Sequence, residues 1–409
     1  DAVVVDLANV SSTAGLSINE NTFDSENDYA AIELNGTGLS GTDAFEVNGN
    51  EINDADGSDA INISSAINSA NVDLSIQDNV VTNQSSNNTV NLTVSDADTV
   101  TISGNTLSGE TDGAATGLNI SVTAGSNVVS VGDNEISNFD DESGGGTGVS
   151  VSTGDVSLTG NTLANNAIQF DDVGNNYDEQ TVINDNAVSP VVLALDERDG
   201  NIQDNAVYGT VEGGVVGAEA LNTDVFLDVG PGTYNENSIV IDSLDEDSIT
   251  IDGSGESTLT TETQNQIIDL NQPNGSVTIS NMTFAAGADN ANPDVDITNT
   301  SDFSITLENH VFSGPGTDAR KGVLVSEVSD NISIKVSDNE FSGYAEAVQH
   351  DDTSGSNSNV TLNVVRNTFS SNAIAVDLTS AASNANVFRI HFNDITDNED
   401  GVVNDLTAS

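Results

Sequence analysis

A short phrase recurs along the whole chain and limits what the chain can fold into. Its clearest copy is Val100-Thr101-Ile102-Ser103-Gly104-Asn105-Thr106-Leu107, where Asn follows an alternating apolar pair and precedes another apolar residue. All but one of the steps between neighbouring copies are 24 to 29 residues. A repeat of this length is typical of a solenoid, in which each unit stacks on the next. Registered on the second apolar residue, the copies lie at positions 18, 47, 76, 102, 131, 158, 183, 202, 227, 251, 279, 307, 336, 364 and 390.

The local pattern within each repeat predicts strands joined by turns. Apolar residues alternate with polar ones, Val, Ile and Thr are frequent, and Asn, Asp and Gly stand at the breaks. A second short strand follows each Asn, as in Val90-Asn91-Leu92-Thr93-Val94. Two or three strands per repeat predict an all-β fold, a parallel β-helix solenoid of about 15 coils.

The repeated Asn predicts an internal ladder. A side-chain amide stacked at one turn can bond the backbone and the Asn of the neighbouring coils. Met282 and His310 occupy the Asn position in two copies, and we expect them to interrupt the ladder and weaken it locally. A buried histidine that satisfies turn amides is favoured at His310 over a metal ligand. The predicted ladder residues are Asn21, Asn50, Asn79, Asn105, Asn134, Asn161, Asn186, Asn205, Asn339, Asn367 and Asn393.

These repeats resemble the right-handed parallel β-helix superfamily, the pectate-lyase-like fold. A local cue supports the resemblance: Val225 to Glu236 contains Gly230-Pro231-Gly232-Thr233-Tyr234-Asn235-Glu236. This segment is similar to the "pGtYxE" phrase near the start of many secreted β-helix proteins. The resemblance implies the fold and leaves the function open, because this fold includes lyases, hydrolases, esterases, adhesins and tail spikes.

The position of that phrase suggests two fused β-helical segments. We expect segment 1 to span residues 1–208 and segment 2 to span 209–409, stacked as one continuous rod. Residues 211–220 are predicted to form a helix or turn over the junction.

Net charge excludes one class of partner. The chain has 66 acidic and 6 basic residues and a formal charge of −60, so nucleic acid is not an expected partner. This composition resembles secreted surface proteins of halophilic archaea, which implies a high-salt extracellular location. The chain has no cysteine and no apolar run long enough to span a membrane.

Asn-x-Ser/Thr sequons support a secreted glycoprotein. The candidate glycosylation sites are Asn9, Asn35, Asn62, Asn83, Asn87, Asn91, Asn119, Asn274, Asn299, Asn331 and Asn359. A twelfth sequon, at Asn281, is expected to be structural.

A basic strip is the main candidate for chemistry. Five of the six basic residues lie after residue 309, and strand alternation places Lys335, Arg389 and His391 outward, with Arg366 just past a strand end. If the chain is an enzyme, these four residues are its candidate catalytic or glycan-binding groups. Ion pairing with Glu308, Asp338 and Asp394, or contact with an acidic partner, is the favoured interpretation.

Other catalytic signatures are missing from the sequence. The chain lacks the Gly-His-Gly of polygalacturonase-like hydrolases, and it has no Arg between residues 199 and 319, where a methylesterase would need one. No cofactor is expected, except Ca²⁺ bound by acidic loops. Its candidate ligands are Asp54, Asp56, Asp140, Asp141, Asp245 and Asp247.

These patterns favour a secreted structural or adhesive surface protein. Residues 1–7 match the phase of residues 372–378 and 400–406, so either flanking sequence is missing or copies stack end to end into a filament. Self-association, head-to-tail or lateral, and surface glycans are the expected partners. The alternatives are a polysaccharide-active lyase, hydrolase or carbohydrate-binding module, and a viral fibre or tail spike.

Overall fold

The computed structural model describes most of the chain. The described residues are 3–6, 15–24, 30–35, 44–53, 58–68, 72–110, 115–122, 128–140, 145–153, 156–173, 177, 179–196, 206–221, 223–236, 238–242, 244–261, 265–271, 274–285, 291–298, 302–316, 319–326, 328, 331–351, 360–378 and 386–403. The chain divides into two compact units, described separately below. Unit 1 is Asp1–Val191 with Asn205–Gly213, and unit 2 is Val192–Asp204 with Gly214–Ser409.

Short strands dominate the chain up to residue 191. The elements there are β1 (Val3–Asp6), β2 (Leu16–Asn19), β3 (Thr22–Asp24), β4 (Ile32–Asn35), β5 (Ala44–Asn48), β6 (Glu51–Asn53), β7 (Ile61–Asn68), β8 (Asp73–Gln77), β9 (Val80–Gln84), β10 (Asn88–Asp96), β11 (Thr99–Ser103), β12 (Thr106–Gly109), β13 (Thr116–Val122), β14 (Val128–Gly132), β15 (Glu135–Ser137), β16 (Thr147–Thr153), β17 (Val156–Thr159), β18 (Thr162–Ala164), β19 (Ile168–Asp172), α1 (Glu179–Asp185) and β20 (Ala187–Ser189).

The rest of the chain follows the same pattern after one further helix. Its elements are β21 (Val192–Asp196), β22 (Ala206–Tyr208), α2 (Val211–Leu221), β23 (Val225–Val229), β24 (Gly232–Asn235), β25 (Ile239–Ile241), β26 (Asp245–Thr260), β27 (Ile268–Asn271), β28 (Asn274–Ala285), β29 (Pro293–Thr298), β30 (Phe303–Glu308), β31 (Val311–Ser313), β32 (Lys321–Ser326), β33 (Ile332–Ser337), β34 (Glu340–Ser342), β35 (Glu346–Asp351), β36 (Val360–Val365), β37 (Thr368–Ser370), β38 (Ile374–Asp377), β39 (Val387–His391), β40 (Asp394–Thr396) and β41 (Asp400–Val403).

Unit 1 is a parallel β-solenoid with three strand positions per coil. The ladder-side strands form a six-stranded sheet, β2-β5-β8-β11-β14-β17, and the strands after the Asn turn form a seven-stranded sheet, β3-β6-β9-β12-β15-β18-β20. The third position contains β1, β4, β7, β10, β13, β16 and β19, paired in parallel from one coil to the next. β22 then pairs with β19 in the antiparallel direction.

Unit 2 repeats the arrangement. Its ladder-side strands β23, β26, β28, β30, β33, β36 and β39 pair in parallel, and the third position is the seven-stranded sheet β25-β27-β29-β32-β35-β38-β41. β21 pairs antiparallel with β23. The predicted parallel β-helix is therefore confirmed as a parallel β-solenoid.

One of the fifteen expected strand positions differs from the prediction. Ile183 lies in α1, so its apolar side chain belongs to a helix and not to a ladder strand. Ile202 lies outside the described residues, and its strand stays a prediction. The other thirteen positions lie in strands. The helix or turn expected at 211–220 is a helix, α2.

The core of each coil is a column of apolar side chains. In unit 2, Phe284, Phe312, Phe341 and Phe369 occupy one register position. Their ring centroids are 4.6, 4.4 and 5.1 Å apart and the rings are nearly parallel. All four are at most 1% exposed. Stacked rings of this kind fill a narrow core with few aromatic residues.

Candidate functional site

A left-handed residue precedes most of the ladder side chains. In eleven coils the residue just before the ladder position has φ between 53° and 74°. It is Gly at positions 49, 104 and 160, and otherwise Glu20, Asp78, Asp133, Asn281, Asn309, Asp338, Arg366 or Phe392. Gly, Asn and Asp tolerate this conformation best. The bend turns the chain inward, so the next side chain lies along the solenoid axis.

The Asn ladder forms as predicted in unit 1. The Asn105 backbone N–H and Nδ2 both donate to Oδ1 of Asn134, at 3.0 and 2.8 Å. Asn134 Nδ2 in turn donates back to the Ile102 carbonyl at 3.0 Å. The same bonds link Asn21, Asn50, Asn79, Asn105, Asn134, Asn161 and Asn186. Unit 2 continues the pattern from Asn339 to Asn367 and Asn393. Asn205 lies outside the described residues.

His310 continues the ladder, so the expectation that it interrupts the ladder was wrong. Its Nδ1 accepts the Met282 backbone N–H at 3.2 Å, and its Nε2 donates to the Ile279 carbonyl at 2.8 Å. The His310 backbone N–H donates to Asn339 Oδ1 at 2.8 Å. Imidazole thus offers one acceptor and one donor where asparagine offers Oδ1 and Nδ2. Burial lowers the pKa of His310 to about 4, which keeps the ring neutral.

A second row of hydrogen-bonded asparagine side chains, here called the second seam, lies five residues after the ladder positions and was not predicted. Asn372 Oδ1 accepts the Tyr344 backbone N–H at 3.1 Å, and Asn372 Nδ2 donates to the Phe341 carbonyl and to Asn398 Oδ1. In unit 1, Asn166 Oδ1 accepts the Phe139 N–H in the same way. The spacing Asn-x4-Asn, seen in Asn367 to Asn372 and Asn393 to Asn398, is the sequence signal.

A buried ionic cluster lies near this seam in unit 2. Arg320 Nε donates to Asp294 Oδ1 at 2.7 Å with both side chains fully buried, and the Tyr344 hydroxyl donates to Asp294 Oδ2. Burial raises the pKa of Asp294 to about 6, while the Arg320 charge and the Tyr344 hydrogen bond oppose that rise. Because each charge has a close partner, the cluster supports the coil contacts and offers no solvent-facing group for chemistry.

The predicted basic strip lies on one outward face of unit 2, and carboxylates neutralise half of it. Lys335, Asn363 and Arg389 share one register row. Lys335 Nζ lies 2.8 Å from Glu308 Oε2, and Arg366 donates two bonds of 2.7 Å to the Asp338 carboxylate. The hydrogen bond from Arg366 lowers the pKa of Asp338. These two cations are therefore held in local ion pairs.

Arg389 and His391 differ from Lys335 and Arg366, which are held in ion pairs. Arg389 donates to the neutral Asn363 Oδ1 at 3.3 Å, and within the described ranges it has no carboxylate partner. His391 packs edge-on against Phe392, with centroids 4.9 Å apart. Phe392 is 83% exposed. The structure thus brings Arg389, His391 and an exposed aromatic ring together on the coil 387–403.

The sequons fall into two geometric classes. Asn62, Asn91 and Asn119 occupy one register column of adjacent strands, and Asn91 Nδ2 donates to Asp59 at 2.8 Å. Asn83, Asn87 and Asn331 are exposed and have φ near 60°, Asn83 within β9 and the other two between strands. Asn281, expected to be structural, donates to Asp252. Asn9, Asn299 and Asn359 lie outside the described residues, and only the backbone is described at Asn35 and Asn274. Glycosylation stays a prediction.

Calcium binding also stays a prediction. Asp54, Asp56 and Asp141 lie outside the described residues, only the backbone is described at Asp245 and Asp247, and Asp140 is half-buried. Among described side chains, no group of three or more His, Asp or Glu is arranged to hold a metal ion.

Comparison with known proteins adds no relative. Neither a protein-family model nor a curated protein matches the chain. In the described part of the chain, neither helix has the length and apolar character needed to cross a membrane.

Proposed function

We propose that this chain is a secreted structural or adhesive protein of a cell surface or extracellular filament in a high-salt environment. It acts by rigidity and by contact with other copies. The observation that best supports this proposal is that buried side-chain amides hydrogen-bond from one coil to the next and form ladders. Buried polar groups require partners, and here those partners lie on neighbouring coils, as in Asn105 to Asn134.

The cationic groups fit the same proposal. Arg320, Lys335 and Arg366 each pair with a carboxylate, and Lys321 lies in register with Glu346, whose pKa it lowers against a larger rise from burial. A catalytic base or a substrate clamp needs a group that is available to substrate. Local ion pairing therefore favours a structural role for most of the strip.

Electron microscopy in molar salt tests the proposal. We expect threads that lengthen with protein concentration, because a contact between different surfaces of identical copies does not close. Single particles at every concentration would contradict end-to-end assembly.

A carbohydrate-binding or polysaccharide-active role is the second candidate, and one observation favours it. Arg389 and His391 lie beside the exposed Phe392 without a carboxylate pair among the described side chains. Aromatic rings and cations together suit an acidic sugar. Binding and turnover of an acidic polysaccharide by wild type, lost in Lys335→Ala and Arg389→Ala, would support this role over the structural one.

A further inference from the structure

A groove lies between β17 and α1 in unit 1. β17 is the last strand of the six-stranded sheet, and in the next coil α1 takes the place of a ladder-side strand. The rest of that coil is regular, because Asn186 completes the ladder and β20 pairs with β18. A helix is about 10 Å across, whereas neighbouring strands lie about 4.8 Å apart. α1 therefore does not continue the outer face of the sheet, and a groove of about 570 Å³, partly open to solvent, lies beside it.

Polar side chains line the groove from both sides. Strand alternation projects the hydroxyls of Ser157 and Thr159 outward from β17. On α1, Thr181 and Asp185 are four residues apart, so they share one face of the helix, and both are exposed. The groove thus presents three hydroxyls and one carboxylate. Its lining also includes the buried apolar residues Val156, Leu158 and Val182.

Tyr177 lines the groove in a fixed position. Its hydroxyl accepts the Val156 N–H at 2.7 Å, and its own backbone N–H donates to Asp172 Oδ2 at 2.7 Å. Its ring packs edge-on against Phe170, with ring centroids 5.6 Å apart. The Tyr177 side chain is nevertheless only half-buried. An aromatic ring held in this way is preorganised to contact a ligand.

Hydrogen bonds tie the two sides of the groove together. The Asp185 carbonyl accepts the Gly160 N–H at 2.8 Å. Asn186 Nδ2 donates to the Val182 carbonyl at 2.8 Å and to the Leu158 carbonyl at 3.1 Å. A groove with linked walls loses little conformational entropy when a ligand binds. Because Asp185 makes its bond through the backbone oxygen, its side chain can be replaced without breaking that link.

We infer that this β17–α1 groove binds one ring of an uncharged sugar. Neighbouring sugar hydroxyls both donate and accept hydrogen bonds, which matches a carboxylate acceptor beside three hydroxyls. The apolar face of a sugar ring suits the aromatic ring of Tyr177 and the apolar part of the lining. The inference goes beyond the proposed function, because it adds a glycan-binding site in unit 1 that does not depend on assembly.

The charge of the groove selects an uncharged ligand. An anionic ligand would face the Asp185 carboxylate on a chain of net charge −60, and among the described lining residues there is no Lys, Arg or His to offset it. A bare metal ion is disfavoured, because one carboxylate supplies few of the oxygen ligands that such ions require. An uncharged sugar avoids both penalties, and salt should not screen its binding.

Saturation-transfer difference NMR in molar NaCl tests the inference. The probes are the methyl pyranosides of glucose, galactose and mannose, with glucuronate as the anionic comparison. We expect at least one methyl pyranoside to bind with a millimolar dissociation constant, since one ring in an open groove makes few contacts. Glucuronate should bind at least about tenfold more weakly. Asp185→Ala should weaken binding of the neutral sugar at least about tenfold, with an unchanged melting temperature.

Ser157→Ala and Ser130→Ala form a matched pair of variants. Ser130 is in register with Ser157 one coil earlier and is not among the residues that line the groove. Ser157→Ala should weaken binding about fivefold, because one hydrogen bond is lost. Ser130→Ala should bind as wild type does. Arg389→Ser should also bind as wild type does, which separates this groove from the acidic-sugar candidate on the coil 387–403.

Four results would overturn the inference. None of the three methyl pyranosides binds; wild type, Asp185→Ala and Ser157→Ala bind them equally; glucuronate binds as tightly as the neutral sugars; or Ca²⁺ alone binds and is lost in Asp185→Ala while no sugar binds. The filament proposal is tested separately by electron microscopy, so it stands or fails without regard to these results.

Discussion

At the residue scale, His310 shows that the seam selects hydrogen-bonding capacity and not asparagine itself. Its ring accepts one backbone N–H and donates to one carbonyl, and stacks edge-on against Phe284 and Phe312. His310→Asn should keep both the accepted and the donated hydrogen bond and change the free energy of unfolding at pH 7 by less than about 1 kcal/mol. His310→Phe should cost about 2 to 4 kcal/mol, because it leaves a buried donor and acceptor unpaired. Urea unfolding measures both.

The same residue predicts a pH dependence. The folded pKa of His310 is about 4 and the ordinary value is 6.5. Between these values the unfolded chain gains a proton that the folded chain does not. Stability is therefore full above pH 6.5 and falls as pH drops through 4, by about 3 kcal/mol. His310→Asn should remove this loss, as unfolding at pH 7 and pH 4.5 would show.

Because Asp294 also titrates in this pH range, wild type must be compared with His310→Asn to isolate the effect of the histidine. The pKa of Asp294 is raised to about 6 from 3.8, so in the same interval it acts in the opposite direction, and stability falls as pH rises from 3.8 to 6. Subtracting the His310→Asn profile from that of wild type isolates the histidine. An unchanged acid profile in the variant would contradict the assignment of His310 as neutral and buried.

At the element scale, we expect different losses of unfolding free energy when the second seam and the buried Asp294–Arg320 cluster are disrupted. Asn372→Ala removes the acceptor of the Tyr344 N–H and the donor to the Phe341 carbonyl. We expect a loss of about 2 to 4 kcal/mol and faster hydrogen exchange at the Tyr344 amide. Asn363→Ala is the control, because Asn363 faces outward beside Arg389 and should cost less than about 0.5 kcal/mol. Equal losses of unfolding free energy in Asn372→Ala and Asn363→Ala would argue against a structural role for the second seam.

The Asp294–Arg320 pair calls for a double-mutant cycle. Arg320→Met leaves a buried carboxylate unpaired and should cost about 3 to 5 kcal/mol. Adding Asp294→Asn should recover part of that loss, because the uncompensated charge is removed. Additive losses in unfolding free energy would show that the two groups do not interact.

Particular elements show what the sequence could predict. The ladder was predictable because most coils place an asparagine at the same turn, as Asn105, Asn134 and Asn161 do. The second seam was hidden because Phe139 and Tyr344 fill its positions in some coils through their backbone N–H alone. α1 was missed because Ile183 fits an apolar strand position while Asn186 still completes the ladder. Arg320 and Asp294 lie 26 residues, one repeat, apart, but an Asp–Arg pair is not part of the repeated phrase, so the repeat did not reveal it.

At the scale of the whole molecule, electrostatic repulsion opposes the fold that the ladders stabilise. The net charge is −60, and repulsion is already visible between neighbouring carboxylates: burial, followed by the charge of Asp252, raises the pKa of Asp228. Asp228 and Asp252 are in register on adjacent strands. Stacking coils about 4.8 Å apart brings such acids together repeatedly.

Salt should therefore set the stability of the chain. The screening length shortens from about 10 Å at 0.1 M to about 3 Å at 1 M, which is shorter than the spacing of neighbouring coils. We expect the melting temperature to rise steeply over this range and then more slowly, as calorimetry in NaCl would show. Sucrose, which stabilises compact states without screening charge, is the control and should not reproduce the steep part. A melting temperature independent of NaCl would mean that the acidic surface does not destabilise the fold, and the high-salt setting would lose its physical support.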